Sequence, residues 1–218
     1  IWMFDVNGLL VKSRKDLVEH QFQFAHDSDP CTDFAEAVLR IKPTAIVGVS
    51  TVGGAFNQQV IENMSAVNER PIIFPYSNPT SHSECTAEQA YNWSKGKAIF
   101  SILSPFAPVE YQGKIFTPGQ GNNVFIFPAL GLAIFATEAT RVTDDILLTA
   151  AEAVAEQVSL ADLEKGLIYP NVADILRVSV NVAVKIAEDI FNLGLAGVDR
   201  PENISDFIKG KMYIPKYK

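Results

Sequence analysis

Short apolar runs alternate with amphipathic stretches through the first half of the chain. Ala45–Val49, Ile72–Pro75 and Ala98–Ser101 are too short to be helices, and turn residues bound them, so we predict buried strands. The segments between them place apolar residues on one helical face, which predicts amphipathic helices. This alternation predicts an α/β fold, a Rossmann-like parallel sheet with helical crossovers, followed by a mostly helical carboxyl-terminal segment.

Three predicted strands of this sheet end in small or polar residues. The strand at the start of the chain ends at Asp5, the next carries Ser50 and Thr51, and the third carries Ser77 and Asn78. Because parallel strands share one carboxyl edge, we expect these residues to lie side by side and to form a nucleotide-binding crevice. Each residue taken alone also fits an ordinary turn, since Asp, Asn and Ser are common turn formers.

Helix starts are predicted from residues whose side chains can accept hydrogen bonds from the first helical turn. Thr32 fits this role before the first helix of the series, and Asn57 fits it before the second. After the Ile72–Pro75 strand, Ser81-x-x-Glu84 and Thr86-x-x-Gln89 both fit the capping box. A helix is therefore predicted to begin shortly after the loop that contains Asn78.

The pattern changes in the second half of the chain. An irregular loop with a small hairpin is predicted over Ser104–Pro108 and Tyr111–Gly113, and Phe125–Ala136 is predicted to be a buried helix. Apolar residues that recur from Ile175 to Ile190 predict an amphipathic helix that ends at Gly194. We divide the chain into a dinucleotide-binding domain over residues 1–121, a helical segment over residues 122–195 and a tail over residues 196–218. The tail has no clear period, so it either packs on another domain or subunit or is disordered.

Composition restricts the classes of partner. The chain has 218 residues, 48% of them hydrophobic, and its formal net charge of −7 argues against nucleic acid or an anionic membrane as a partner. Cys31 and Cys85 form no Cys-x-x-Cys pair, which signals neither a disulfide framework nor a zinc site. The chain opens at Ile1 with no signal-peptide features, so we expect it to be part of a longer protein.

Several motifs follow one another in a characteristic order. They are Ile1-Trp-Met-Phe-Asp5, Gly8-Leu-Leu-Val-Lys12, Asn68-Glu-Arg-Pro-Ile-Ile-Phe74, Ser77-Asn-Pro-Thr80, Glu84-Cys-Thr-Ala-Glu88, Ser104-Pro-Phe106, Thr117-Pro-Gly-Gln-Gly-Asn-Asn123 and Leu167-Ile-Tyr-Pro170. Together they closely resemble malic enzyme over nearly the whole chain. The resemblance is to the carboxyl-terminal part of that family, beginning at the second strand of its dinucleotide-binding domain. It implies that residues 122–195 return to the catalytic domain.

The resemblance implies part of an oxidoreductase that converts malate to pyruvate and carbon dioxide, with NAD or NADP and with Mg²⁺ or Mn²⁺. Matched by motif, the residues that would bind malate are Asn78, Asn122 and Asn123. Those that would bind the dinucleotide are Asp5, which would hold the adenosine ribose, Val49, Ser50 and Thr51, which would line the nicotinamide side, and Asn78.

The family's catalytic lysine and tyrosine, its metal ligands and its glycine-rich phosphate turn belong upstream of this chain. The resemblance therefore implies no catalytic or metal-binding residue here, and the isolated polypeptide is expected to be inactive. His20, His26 and His82 are interpreted as surface or turn residues. The resemblance also implies a dimer or tetramer, in the cytoplasm or, in a eukaryote, in an organelle matrix.

Members of the family that prefer NADP place a lysine shortly after the second strand, where this chain has Gln21-Phe22-Gln23. We therefore expect NAD, with NADP as the alternative because Lys12, Arg14 and Lys15 lie nearby. Two other classes of function stay open. One is a noncatalytic module for dinucleotide sensing or subunit interaction. The other, disfavoured by the Asn122-Asn123 pair and the Ser77–Thr80 loop, is another nicotinamide enzyme such as an amino-acid dehydrogenase.

Overall fold

The computed structural model describes residues 1–104 and 106–213. The chain divides into two compact units, Ile1–Gln120 and Gly121–Lys218, and each is described on its own. Pro105, in the predicted Ser104–Pro108 loop, and the last five residues of the predicted tail lie outside the described residues. The three-part division at residues 121 and 195 stays a prediction.

The first unit contains short strands and helices. Its described strands are β1 (Phe4–Asp5), β2 (Gly8–Leu9), β3 (Ala45–Gly48), β4 (Ile72–Pro75), β5 (Ile99–Ile102), β6 (Val109–Tyr111), β7 (Lys114–Phe116) and β8 (Gly119–Gln120). Its described α-helices are α1 (Phe34–Ile41), α2 (Gln58–Val67) and α3 (Ala87–Trp93). Short 3-10 helices cover Glu19–Phe24 and Thr80–His82.

Four of these strands form one parallel sheet in the order β3-β4-β5-β8. Helix α2 connects β3 to β4, and α3 connects β4 to β5. Met64 of α2 and Tyr91 of α3 are buried in the same core as Ile73 and Phe100 of the sheet. The predicted parallel sheet with helical crossovers is confirmed. The predicted hairpin is also confirmed, as the antiparallel pair β6 and β7.

The strand that carries Asp5 differs from the prediction. β1 pairs antiparallel with β2, with Asp5 opposite Gly8, and neither strand is part of the four-stranded sheet. Gly8 has φ +104°, a conformation that glycine adopts without steric cost, so the Asn7-Gly8 pair can reverse the chain at this point. The prediction that Asp5 ends a strand of the parallel sheet is wrong. β8 was not predicted, because two residues are too few to show a period.

In the first unit, the helix starts agree with the sequence at two positions and differ at two. Asn57 accepts the Val60 N–H, and Thr86 forms the predicted capping box with Gln89. Asp33, not Thr32, caps α1 through the Glu36 N–H. The Ser81-x-x-Glu84 box does not form, since only one 3-10 turn follows Pro79. The side chain of Glu84 bonds elsewhere.

The second unit is helical, as predicted. Its described helices are α4 (Phe127–Thr137), α5 (Asp144–Ala155), α6 (Leu160–Glu164), α7 (Ile175–Asn192) and α8 (Ile204–Lys211), with 3-10 turns at Asn123–Phe125 and Val172–Asp174. α7 packs against α4, α5 and α8 and buries its apolar face in the core of the unit. It ends before Gly194, which has φ +66°.

Helix α8 lies in the segment that was predicted as a tail. Asn203 caps it by accepting the Asp206 N–H, and Ile204 and Ile208 are buried. The sequence hid this helix because two buried residues one turn apart are too few to define a period. Within residues 1–104 and 106–213, no helix combines the length and the apolar character that crossing a membrane requires.

Candidate functional site

The candidate site lies at the carboxyl ends of β3 and β4. These strands are parallel neighbours, with Gly48 opposite Pro75, so the loops that follow them leave the sheet at the same edge. The loop after β3 begins with Val49, which is 76% exposed, and continues through exposed residues to Gly54. The loop after β4 contains Ser77 and Asn78. This edge is where ligands bind in open α/β sheets.

A network of hydrogen bonds joins the two loops through Glu84, and we call Ser50, Thr51, Ser77 and Glu84 the Glu84 network. Oε1 of Glu84 accepts from the Ser50 N–H at 3.0 Å, from the Ser50 hydroxyl at 2.9 Å and from the Ser77 hydroxyl. Oε2 accepts from the Ser77 N–H at 3.3 Å. The Ser77 hydroxyl oxygen in turn accepts the Thr51 N–H at 2.8 Å.

The pKa of the Glu84 carboxyl is lowered even though its side chain is buried. Glu84 is 0% exposed and Ser77 is 4% exposed. Burial alone would raise the pKa of the Glu84 carboxyl, but hydrogen bonds from Ser77 and Ser50 outweigh it, and the pKa lies below the usual value for a glutamate. The network therefore holds a negative charge with neutral donors.

Thr51 has an unusual backbone conformation within the exposed loop. Its φ is +58°, in the left-handed region that β-branched residues rarely adopt. Its N–H bonds to Ser77, and its carbonyl accepts a hydrogen bond from Nδ1 of His82 at 3.0 Å. Since strained residues persist only where neighbours fix them, these two bonds hold the loop in one conformation. His82 is exposed, as predicted, but it contacts the loop.

Asn78 is exposed and follows directly after Ser77. Its Oδ1 accepts the hydroxyl hydrogen of Ser104, which follows β5, at 2.8 Å. The side-chain oxygen is therefore used within the protein, and none of the described residues accepts a hydrogen bond from its Nδ2. The Asn78 amide thus presents N–H groups that can bind a carboxylate.

Asp5 belongs to a separate arrangement at the amino-terminal hairpin. Its two carboxylate oxygens accept from the Arg14 guanidinium at 2.8 and 2.9 Å, and Arg14 also bonds Asp16. The hydrogen bonds from Arg14 lower the pKa of Asp5. No hydrogen bond within the described chain joins Asp5 to the Glu84 network. The structure brings together Ser50, Thr51 and Ser77, whereas Asp5 pairs with Arg14, one of the three basic residues for which NADP is kept as the alternative.

Asn122 and Asn123 stand at the start of the second unit. Oδ1 of Asn122 accepts the Val124 N–H at 2.9 Å and caps the 3-10 turn before α4. Asn122 is half-buried and Asn123 is exposed. Neither side chain donates a hydrogen bond to any described residue. The predicted convergence of these amides with Asn78 stays a prediction.

Metal-ligating side chains do not cluster in the described part of the chain. Among residues 1–104 and 106–213, no group of three or more His, Cys, Asp or Glu side chains could hold a metal ion. Cys31 and Cys85 are both buried and free. Burial raises the pKa of the Cys85 thiol, which leaves it protonated and unsuited to metal binding.

Comparison with known proteins identifies the family. A family model described as malic enzyme, NAD-binding domain, matches residues 1–191. The chain belongs to the malic enzyme family. The resemblance drawn from the motifs is thereby confirmed.

Relatives in the malic enzyme family match the chain throughout. NADP-dependent malic enzyme 1 of Arabidopsis thaliana is 50% identical over 220 residues, which cover 100% of this chain and 38% of the relative. The chloroplastic NADP-dependent malic enzyme of Flaveria trinervia is 48% identical, with 100% of this chain and 34% of the relative covered. The chain therefore spans well under half of each relative.

A solved malic enzyme shares the fold. The crystal structure of Entamoeba histolytica malic enzyme superimposes with a TM-score of 0.75 and 21% sequence identity. The match covers 97% of this chain and 41% of that chain. This similarity supports the Rossmann-like assignment of the fold.

Sequence reasoning missed the role of Glu84. The residue stands in the Glu84-Cys-Thr-Ala-Glu88 motif, but the spacing from Ser81 suggested a helix cap instead. A useful signal was available, because Glu84 lies between Ser83 and Cys85 in a short segment that contains neither lysine nor arginine. A carboxylate in such a segment must find neutral donors if it is buried.

Proposed function

We propose that this chain is the dinucleotide-binding and carboxyl-terminal part of an enzyme that oxidatively decarboxylates malate to pyruvate and carbon dioxide. The single observation that best supports this function is the joining of the loops after β3 and β4 by the Glu84 network. It supports a site in which a dinucleotide and a small acid lie at one edge of the sheet. Family membership supplies the reaction class.

In this proposal the loop after β3 contacts the dinucleotide, and the loop after β4 contacts malate. Val49, Ser50 and Thr51 line the nicotinamide side, and Asn78 donates hydrogen bonds from Nδ2 to malate close to the dinucleotide. Asn122 and Asn123 supply further amide donors to malate. When bound, nicotinamide accepts hydride from the carbinol carbon of malate. Amides suit the substrate because they bind carboxylate oxygens while adding no charge of their own.

The choice between NAD and NADP rests on residues near Asp5. We propose NAD, since Gln21 and Gln23 stand where NADP-preferring members carry lysine and each bonds the local backbone, to Val18 and His20. The Arg14 guanidinium is already paired with two carboxylates. The relatives named above are NADP-dependent by name, and exposed Lys12 and Lys15 lie nearby, so both dinucleotides must be compared.

The proposed reaction also requires a divalent metal, Mg²⁺ or Mn²⁺. The described residues contain no cluster of side chains that could hold it. We propose that its ligands, and the catalytic acid and base, come from other parts of the whole enzyme, and we assign no step to the metal here. We further propose a dimer or tetramer. Cytoplasm is our proposed location, with an organelle matrix as the alternative, because some relatives are named as chloroplastic.

The test is an assay of the full-length protein with malate, Mg²⁺ or Mn²⁺, and each dinucleotide, following pyruvate and reduced dinucleotide together. Equal amounts of both products, with a lower Michaelis constant for NAD than for NADP, are expected. Binding of dinucleotide without turnover would instead favour the noncatalytic sensing module. A clear preference for NADP would overturn the choice of NAD and leave the reaction class intact.

Asn78→Ala tests the substrate contact. Loss of its hydrogen bonds to a charged ligand is expected to cost about 1.5–3 kcal/mol of malate binding, a rise in the Michaelis constant for malate of tenfold or more. Steady-state kinetics of the full-length variant provide the measurement. Asn92→Ala, on α3 and exposed, is a matched control that removes an amide elsewhere in the same unit. Unchanged kinetic constants in Asn78→Ala would refute its assignment.

A further inference from the structure

The role of Glu84 goes beyond the residues assigned so far. Its carboxylate is buried, yet none of the ion pairs formed by the described residues includes it. A buried charge without a cationic partner is costly unless several hydrogen bonds satisfy it. All four donors to the Glu84 side chain come from Ser50 and Ser77. The hydrogen bonds that stabilise the buried carboxylate therefore all come from the two loops that follow β3 and β4.

The geometry makes one oxygen atom the junction of these loops. Oε1 receives hydrogen bonds from both Ser50 and Ser77, so neither loop can move away without breaking a bond to a buried charge. The Ser77 hydroxyl extends the connection to the Thr51 N–H. Because Asn78 follows Ser77 directly, the hydrogen bonds of the Ser77 N–H and hydroxyl to Glu84 also restrict the position of the Asn78 backbone.

The backbone of β3 leaves space for this carboxylate. Gly48 has no side chain, and a Cβ at that position would overlap the carboxyl group of Glu84. The place of the carboxylate is thus defined from the strand as well as from the loops. A methyl group at residue 48 would displace the carboxylate while keeping its charge.

We propose that Glu84 is a positioning residue of the dinucleotide and malate site, which fixes Ser50, Thr51 and Asn78 relative to one another. This inference rests on the proposed function, because it takes those residues as ligand contacts. Glu84 itself is 0% exposed, so its proposed role requires no direct contact with a ligand. It acts through Ser50 and Ser77, and its loss separates the loop for the nicotinamide from the loop for malate.

Glu84→Gln is the sharpest variant for a test. It keeps the size of the side chain but replaces one acceptor oxygen with an NH₂ group, which cannot accept the Ser77 N–H or hold a negative charge. Glu88→Gln is the matched control, since it introduces the same chemical change four residues later, at an exposed position of α3. Both variants are made in the full-length enzyme.

The measurements are the dissociation constant of reduced dinucleotide by fluorescence titration, the Michaelis constant for malate, kcat and the thermal unfolding midpoint. In Glu84→Gln we expect both the dissociation constant and the Michaelis constant to rise about tenfold or more, because hydrogen bonds to a charged group are lost. Glu88→Gln is expected to stay within about twofold of wild type, as exposed substitutions do. A folded Glu84→Gln enzyme with wild-type constants would overturn the inference.

Two further variants keep the proposal testable if Glu84→Gln does not fold. Gly48→Ala retains the glutamate charge and displaces the carboxylate. Ser50→Ala removes the Ser50 hydroxyl, which donates one hydrogen bond to Oε1 of Glu84 and accepts the Val52 N–H. Both are expected to weaken dinucleotide binding severalfold, and wild-type binding in both would refute the role of Glu84.

The outcome for Glu84 is separable from that for the reaction. If wild-type enzyme binds dinucleotide but does not oxidise malate, the proposed function fails. The shift in dinucleotide affinity between Glu84→Gln and Glu88→Gln then still decides whether Glu84 positions the loops. If wild-type enzyme oxidises malate and the two variants are alike, only the inference about Glu84 fails.

Discussion

A carboxylate accepts several hydrogen bonds in the Glu84 network, and another does so in the amino-terminal hairpin. The two carboxylates differ in burial and in the charge of their donors. Glu84 is buried and receives only neutral N–H and O–H donors. Asp5 keeps 30% of its side chain exposed and pairs with the guanidinium of Arg14. Arg14 is only 10% exposed, but water reaches Asp5, and ion pairs that water reaches contribute less because water and salt screen them. Buried acceptors, in contrast, are costly to leave unsatisfied. Replacing the carboxylate should therefore lower the free energy of unfolding more in the Glu84 network than in the hairpin.

The largest expected effect comes from truncating the buried carboxylate. Glu84→Ala should lower stability by about 3 kcal/mol, because the Ser50 and Ser77 donors lose their acceptor within a buried site. Thermal unfolding of the full-length protein and hydrogen exchange at the Ser50 and Ser77 amides provide the measurements. Glu88→Ala, at an exposed helical position, should change stability by less than about 0.5 kcal/mol. Equal losses in the two variants would remove the distinction between buried and exposed carboxylates.

A smaller effect follows from the charge on Glu84 alone. Its pKa in the folded protein lies below the usual value, so ionisation stabilises the fold above the ordinary glutamate pKa of about 4.3. This contribution is lost as pH falls through the folded pKa. The difference in unfolding midpoint between wild type and Glu84→Gln should therefore narrow when pH is lowered from about 7 to about 3.

A series of melting curves across that pH range provides the measurement. Glu88→Gln, the same chemical change at an exposed position of α3, is measured alongside as the control. A gap between wild type and Glu84→Gln that stays constant with pH would mean that the shape of the side chain, and not its charge, stabilises the loops.

The smallest effect is expected at the hairpin. Asp5→Asn removes the partner of Arg14 and should cost only about 0.5–1 kcal/mol, since Arg14 keeps Asp16 and the site is partly solvated. At about 1 M salt, where the screening length is about 3 Å, the loss should shrink further. Melting curves at low and high salt check this. A loss as large as that of Glu84→Ala, or one insensitive to salt, would contradict the comparison.

The elements with strong local patterns were predictable from the sequence. β3, β4 and α7 follow from uninterrupted apolar runs or regular helical spacing, and Asn57 and Thr86 cap their helices by bonds within one turn. Where the local signal was short or shared between two structures, the prediction failed. Thus β8 and α8 were missed, and β1 was assigned to the wrong sheet.

The sequence by itself determined the malic enzyme family, the parallel sheet and the identity of the loops that carry Ser50, Ser77 and Asn78. Those features depend on residues close together along the chain, which a pattern can reveal. Only the tertiary structure decided that Glu84 bonds Ser50, 34 residues away, and that Arg14 pairs with Asp5. A carboxylate selects its partners by distance and solvent exposure in the folded chain, and neither quantity is written in the local sequence.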